Sequence, residues 1–199
     1  MVDRDWADFY RWTLGREPRP LFERVMAHAG TPGQAVEVGF GDGTETLALL
    51  DLGWRVLAID PAPAAADVLL PRVPPDALPR LTIVTAPAQV ATLPPLDLFY
   101  SGFSLPFLPP AEFDVFWAGL RAALRPGATI VVNLFGPKDS WAPDEAMSFV
   151  DRDRIEGLID GLELLVLDEV ERDGEAFSGA KHWHVFDIVA RRPTVAPEP

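Results

Sequence analysis

The sequence predicts an α/β protein built on a doubly wound parallel sheet that closes with an antiparallel hairpin. Three observations predict it. From residue 35 onward, short apolar runs of strand type alternate with amphipathic helical patterns, the rhythm of a parallel sheet crossed by helices. A glycine cluster follows the first run directly and leads into a helical pattern, a strand-turn-helix unit. The last two runs are long and separated by only a short turn-like segment, which permits antiparallel pairing and no helical crossover. The 199 residues fit one domain, and 48% apolar with 24% charged residues is ordinary for a globular chain.

The elements follow in order. Residues 5–28 read as one or two amphipathic helices, with Trp6, Phe9, Tyr10 and Trp12 on the first and Leu21, Phe22, Val25 and Met26 on the second. Gly15, Pro18 and Pro20 separate them, so residues 1–34 are expected to form a helical cap. AVEVG (35–39) is the first strand, and TETLALLDLG is a helix ending at Gly53. RVLAID (55–60) is the second strand, and PAPAAADVLL opens a helix with prolines where a first turn tolerates them. Pro71, Pro74, Pro75 and Pro79 end that helix. LTIVT (81–85), LDLFYS (96–101) and ATIVVNLF (128–135) are buried-strand candidates, the last preceded by the helix EFDVFWAGLRAALRPG. After a helix near 151–160, LELLVLDEVERD and KHWHVFDIVARR form the hairpin across GEAFSGA. The main domain is expected over 35–193, with a frayed tail at 194–199.

Composition narrows the function. The formal charge of −13 repels phosphate backbones, and no cluster of Lys and Arg tracks nucleic acid, so a nucleic-acid partner is not expected. No apolar run approaches the roughly 20 residues that span a bilayer, so no membrane partner is expected either. MVDRDWADFYRW carries charges where a signal peptide is apolar, and cysteine is absent, so the expected compartment is the cytoplasm. Heavy use of Ala, Pro and Arg, with Lys138 and Lys181 as the only lysines, resembles proteins of GC-rich bacteria.

The chemistry begins at Glu37-Val38-Gly39-Phe40-Gly41-Asp42-Gly43-Thr44, on the carboxyl end of the first strand, where open α/β sheets bind ligands. A dinucleotide fingerprint needs glycines at relative positions 1, 3 and 6, whereas these stand at 1, 3 and 5, with Thr44 in the sixth place. That spacing argues against NAD. By itself the trio also reads as a tight strand-to-helix turn. Asp60 closes the second strand 21 positions after Gly39, where a carboxylate accepts both hydrogen bonds of a ribose diol. The other reading of Asp60 is a helix N-cap before Pro61.

VEVGFGDGT followed by VLAID resembles the first two motifs of class I S-adenosylmethionine-dependent methyltransferases, and the element order resembles that fold over residues 35–192. FYRWTLGREPRP, LFYSGFSLPFLP, LFGPKDSWA and KHWHVFDIVARRP look closest to the small bacterial methyltransferases of the tellurite-resistance and thiopurine type. The resemblance implies a Rossmann-like, doubly wound seven-stranded sheet of order 3-2-1-4-5-7-6, the seventh strand antiparallel. It implies S-adenosylmethionine as cofactor, with Glu37 positioning the loop and the methionine amino end. The backbone at Gly39, Phe40, Gly41, Gly43 and Thr44 then lies against the cofactor, Asp60 and Pro61 sit at the ribose, and Ser101 and Gly102 close the groove. Two segments depart from the family. Thr85-Ala86-Pro87-Ala88-Gln89 lacks an acid, leaving adenine to backbone groups or Gln89, and Tyr100-Ser101-Gly102-Phe103 lacks the proline-aromatic signature of enzymes that methylate nucleic-acid amino groups.

The topology puts the methyl acceptor at the same sheet edge, among Phe103, Lys138, Trp141 and Lys181. His182 and His184 share one face of their strand, and Trp183 and Val185 share the other. Three readings of the histidines stand: catalytic bases for the acceptor, a metal pair lacking a third ligand, or ordinary rim residues. A thiolate or an oxyanion of tellurium or selenium needs no base, and the lack of an obvious one favours such soft acceptors. The N-terminal aromatic helix is expected as a lid, with Tyr10 or Trp12 facing the sulfonium and Arg16 or Arg19 meeting the methionine carboxylate, or else as plain core. The function read from the sequence is methyl transfer to a small molecule. The alternatives are a non-catalytic S-adenosylmethionine-binding module and, less favoured by the glycine spacing, a nicotinamide oxidoreductase.

Overall fold

Alternating side chains along five parallel strands generate two apolar layers, one on each face of a single seven-stranded sheet. The computed structural model describes residues 6–194. Its element order is α1 (Trp6–Thr13), α2 (Pro20–His28), β1 (Gln34–Val38), α3 (Thr44–Asp51), β2 (Arg55–Asp60), α4 (Pro63–Leu69) and β3 (Leu81–Thr85). These are followed by β4 (Leu96–Ser101), α5 (Pro110–Ala123), β5 (Leu124–Phe135), α6 (Arg152–Leu158), β6 (Glu163–Ala176) and β7 (Gly179–Arg191). The sheet order is β3-β2-β1-β4-β5-β7-β6; β1 to β5 pair in parallel, and β7 is antiparallel to both neighbours. This is the doubly wound, Rossmann-like arrangement with a terminal hairpin.

On one face Val36, Val38, Phe99, Ile130, Val132, Phe186 and Ile188 meet α5 and α6 through Phe113, Phe116, Trp117, Ile155 and Leu158. On the other face Ala35, Val56, Ala58, Leu98, Tyr100, Val131 and Val189 meet α1, α2, α3 and α4 through Tyr10, Phe22, Val25, Leu49 and Leu69. Burying such side chains contributes about 1.5–3 kcal/mol each, which holds both helical layers to the sheet.

Three segments differ from the sequence expectation. The helix before β5 starts at Pro110 and stops at Ala123, and β5 begins at Leu124 rather than at 128. Arg125, Pro126 and Gly127 lie within that strand, where the pairing of β4 with β5 shifts between Leu96 and Leu98 and a proline does not interrupt the ladder. The hairpin strands extend into GEAFSGA as far as Ala176 and Gly179, leaving Phe177 and Ser178 as the turn. Of the expected tail, residues 195–199 lie outside the described residues, as do residues 1–5 of the expected cap. No helix of the described residues is long and apolar enough to cross a membrane.

Candidate active site

The loop between β1 and α3 reverses sharply because Gly39, Gly41 and Gly43 all take positive φ, at 73°, 52° and 76°. Side chains with a Cβ rarely adopt that geometry. Gly43 caps α3, and Gly39 N–H donates to the Ile59 carbonyl at 2.7 Å, which fastens the loop to the end of β2. The bare backbone of the loop therefore faces Asp60.

Asp60 is 2% exposed and holds three donors. Gly41 N–H reaches Oδ2 at 3.0 Å; Ala62 N–H and the Tyr10 hydroxyl both reach Oδ1 at 2.9 Å. Burial raises its pKa, and the three donors oppose that rise. The N-cap of α4 is Ala62, so Asp60 is not the cap; Pro61 beside it is exposed. Tyr10 does not face an open groove. It is buried, its ring would lie 3.2 Å from a Cβ at Gly41, and its hydroxyl occupies Asp60. Trp12, by contrast, is 67% exposed and packs on Phe9 and on Phe177 of the hairpin turn.

Glu37 is enclosed beside α3, where the Thr46 hydroxyl donates to it at 2.6 Å. Burial, with the Glu45 charge adding to it, pushes its pKa up to about 8. Arg16 grips Glu45 with both terminal nitrogens, at 2.5 and 2.6 Å, and meets Asp42; Arg19 contacts Glu45 through its N–H and its guanidinium. Glu45 thus fastens the α1–α2 connection to the start of α3. Its pKa is lowered because the two arginines outweigh its burial. Neither Glu45 nor Asp42 was singled out from the sequence. An acid in the first turn of a glycine-capped helix, facing an arginine-rich segment, is the signal that could have found Glu45.

Ser101 at the end of β4 donates to the Val38 carbonyl at 3.0 Å and so stitches β4 to β1. Gly102 lies against Arg19 and the Tyr100 hydroxyl. Gln89 donates to Glu112 at 2.7 Å, leaving Oε1 buried without a partner. Phe103 is the one described non-glycine residue with positive φ, 57°, a strained conformation for a bulky side chain.

That strain aims Phe103 into a cluster of aromatic rings. Its ring lies 5.7 Å from Trp183 and 6.0 Å from Phe135, and the Arg19 guanidinium stands over it, 6.0 Å from its centroid. Trp141 joins Phe107, Phe135 and Trp183 at about 6 Å. Lys181 sits within the cluster, its Nζ 3.6 Å from the Trp141 centroid and 4.6 Å from that of Trp183, and pairs with the buried Asp139. The structure therefore brings Phe103, Trp141 and Lys181 together.

Lys138 and the histidines do not join them. Lys138 is exposed and pairs with Glu171 at 2.6 Å. Trp183 and Val185 pack on the sheet face that carries Tyr100, whereas His184 contacts Phe186 on the face of α5 and α6. His184 is 2% exposed; its Nδ1 accepts from Lys138 N–H at 3.1 Å and its Nε2 meets Glu169 at 2.9 Å. That pattern is a neutral imidazole with the proton on Nε2, fixing the loop rather than facing an acceptor. His182 is partly exposed between Asp173 and Glu171, whose carboxylates raise its pKa. The expectation of two bases at the acceptor rim is corrected on these grounds. Among the described residues no group of three or more His, Cys, Asp or Glu gathers to hold a metal.

The residues present fit S-adenosylmethionine. Asp42 Oδ2, Thr44 Oγ1, Tyr100 Oη and Arg16 Nε surround the glycine loop, buried and without hydrogen-bond partners, and Gln89 Oε1 is in the same condition past β3. Arg16 Nε stands 3.1 Å from Asp42 Oδ2 but is not aligned to bond it. Folded proteins seldom leave such groups unpaired, so they are placed to bond a polar ligand or ordered water in the groove.

Residues 36–132 match the methyltransferase-domain family. No curated protein sequence matches the chain. Among solved structures, the chain is similar to TehB from Haemophilus influenzae, with TM-score 0.73 and 12% identity over 94% of this chain and 67% of that one. It is similar to N-methyltransferase NodS from Bradyrhizobium japonicum in complex with S-adenosyl-L-homocysteine (TM-score 0.69, 15% identity, 96% and 100% covered). It is also similar to the Burkholderia thailandensis 1,6-didemethyltoxoflavin-N1-methyltransferase (TM-score 0.66, 20% identity, 94% and 87% covered). Residues 36–132 thus match the methyltransferase-domain family, within a chain that has the fold of the class I S-adenosylmethionine-dependent methyltransferases.

Proposed function

We propose that the chain transfers the methyl group of S-adenosylmethionine to a small-molecule acceptor lying against Phe103, Trp141 and Trp183. The observation that carries this reading is the alignment of the glycine loop, Asp60 and the aromatic cluster along one sheet edge, with Phe103 joining them through Arg19. The similar toxoflavin enzyme acts on a small molecule, and the charge of −13 disfavours nucleic acid as acceptor. A cytoplasmic location in a bacterium belongs to the same reading.

When bound, the cofactor supplies an electrophilic methyl group on a sulfonium, which needs no further activation. Asp60 accepts the ribose hydroxyls, the Gly39–Gly41 backbone lies along the cofactor, and Glu37 faces the ammonium of its methionine end. Gln89 Oε1 accepts from the adenine amino group. Arg16 and Arg19, anchored by Glu45, set a positive field for the methionine carboxylate. Phe103 and its neighbours orient the acceptor and exclude water, and that positioning provides most of the acceleration. With both imidazoles on the far sheet face, the acceptor arrives already deprotonated or intrinsically nucleophilic.

Incubation with methyl-labelled S-adenosylmethionine and a panel of thiols, phenols, amines and chalcogen oxyanions tests the reading. Label transferred to at least one member is expected, with loss on Phe103→Ala. Binding of the cofactor without transfer to any class would favour a non-catalytic module instead.

A further inference from the structure

One buried polar group at the groove belongs to no role described so far. Tyr100 precedes Ser101, the last residue of β4, and pairs across the sheet with Glu37. It is 1% exposed, its ring is fixed edge-on to Phe22 at 5.6 Å, and its hydroxyl has no hydrogen-bond partner. Leaving a phenol buried and unpaired is costly, and a valine or phenylalanine would fill the same strand position without that cost.

The surroundings say what the hydroxyl is held for. Gly102 makes its room, since a Cβ there would stand 3.0 Å from Oη and 3.3 Å from Cδ of Arg19. Burial and then the charge of Glu45 raise the phenol's pKa, so it is a neutral donor; Arg19, Glu37 and Arg16 are the other charges that act on it. Arg16 spends both terminal nitrogens on Glu45 and Asp42, and Arg19 its Nη1 on Glu45, so that around Arg16 the unpartnered buried donors are its Nε, turned to the Asp42 side, and the Tyr100 hydroxyl. A carboxylate entering here finds the arginine field partly neutralised and needs a donor that is not already engaged. An ammonium is better served by the carboxyl oxygens of Glu37 and Asp42, which accept hydrogen bonds. An O–H donor therefore matches the carboxylate.

We propose that Tyr100 donates a hydrogen bond to the α-carboxylate at the methionine end of the cofactor, making it a binding residue of the groove. The proposal rests on the reading that this groove takes S-adenosylmethionine. Its specific consequence is that Tyr100 senses the amino-acid end and is blind to the adenosine end.

The test is calorimetry on the wild type and Tyr100→Phe with two probes, S-adenosylhomocysteine and 5′-methylthioadenosine, which keeps the adenosine but lacks the amino acid. The melting temperature of each protein without ligand is measured alongside. Tyr100→Phe is expected to weaken S-adenosylhomocysteine about tenfold or more, to leave 5′-methylthioadenosine unchanged, and to melt no lower than the wild type. Unchanged affinity for S-adenosylhomocysteine overturns the proposal, as does an equal loss for both probes, which marks a merely structural tyrosine. A wild type that binds neither probe refutes the groove assignment itself, and the Tyr100 proposal falls with it.

Discussion

The Tyr10 hydroxyl donates to Asp60 at 2.9 Å, on the same carboxylate that accepts the Gly41 N–H, and the Tyr10 ring covers Gly41. The N-terminal helix thereby occupies the position at which, in the proposed reading, a ribose diol would bond the acid. Cofactor binding must displace that hydroxyl or share Asp60 with it. Tyr10→Phe is accordingly expected to tighten S-adenosylmethionine, by about tenfold if the full bond to a charged acceptor is recovered. Calorimetry reads the change; weaker binding would mean that Tyr10 touches the cofactor directly.

Glu37 gives the fold a pH dependence of defined sign. Its pKa in the folded protein is about 8, above the ordinary carboxyl value of 4.5, so the folded state holds a proton that the unfolded chain releases. Its contribution to stability is full below about pH 4.5 and is lost as pH rises toward 8. Denaturant unfolding of the wild type and Glu37→Gln at pH 5.5 and 8.5 isolates this group. The wild type should lose on the order of a few kcal/mol more than the variant between those pH values. Parallel losses in both proteins would show that Glu37 ionises normally.

The two histidines are expected to separate by their bonding. His184→Ala strands Lys138 N–H and loosens Gly136–Trp141, costing about 1–3 kcal/mol of stability while cofactor affinity stays the same. His182→Ala removes a solvent-facing rim group and should leave the melting temperature essentially unchanged and turnover within about twofold of the wild type. A loss of about 100-fold in turnover at unchanged stability, for either variant, would return that imidazole to the role of general base.

The sheet was legible because each buried strand is a short apolar run bounded by breakers; RVLAID, LTIVT and LDLFYS coincide with β2, β3 and β4. Strand β5 was misjudged at its start because Pro126 and Gly127 normally punctuate, and only the register shift opposite Leu96 and Leu98 lets them lie in a ladder. Gly174 likewise read as a turn, yet it is a strand residue whose missing side chain admits Trp183 and Arg172. At the site, alternation grouped His182 with His184 correctly. Which sheet face they share depends on the pairing of β7 with β5, which no local pattern encodes. Glu45 was invisible for a related reason, since its partners Arg16 and Arg19 stand 29 and 26 residues away.

The most direct measurement is calorimetry of S-adenosylmethionine and of NAD with the wild type and Asp60→Ala. S-adenosylmethionine should bind the wild type and weaken about tenfold or more in Asp60→Ala, which loses the acceptor of both ribose hydroxyls, while NAD should not bind. Equal S-adenosylmethionine affinity in the two proteins, or binding of NAD in its place, would contradict the assignment of the glycine loop and Asp60 as the cofactor site.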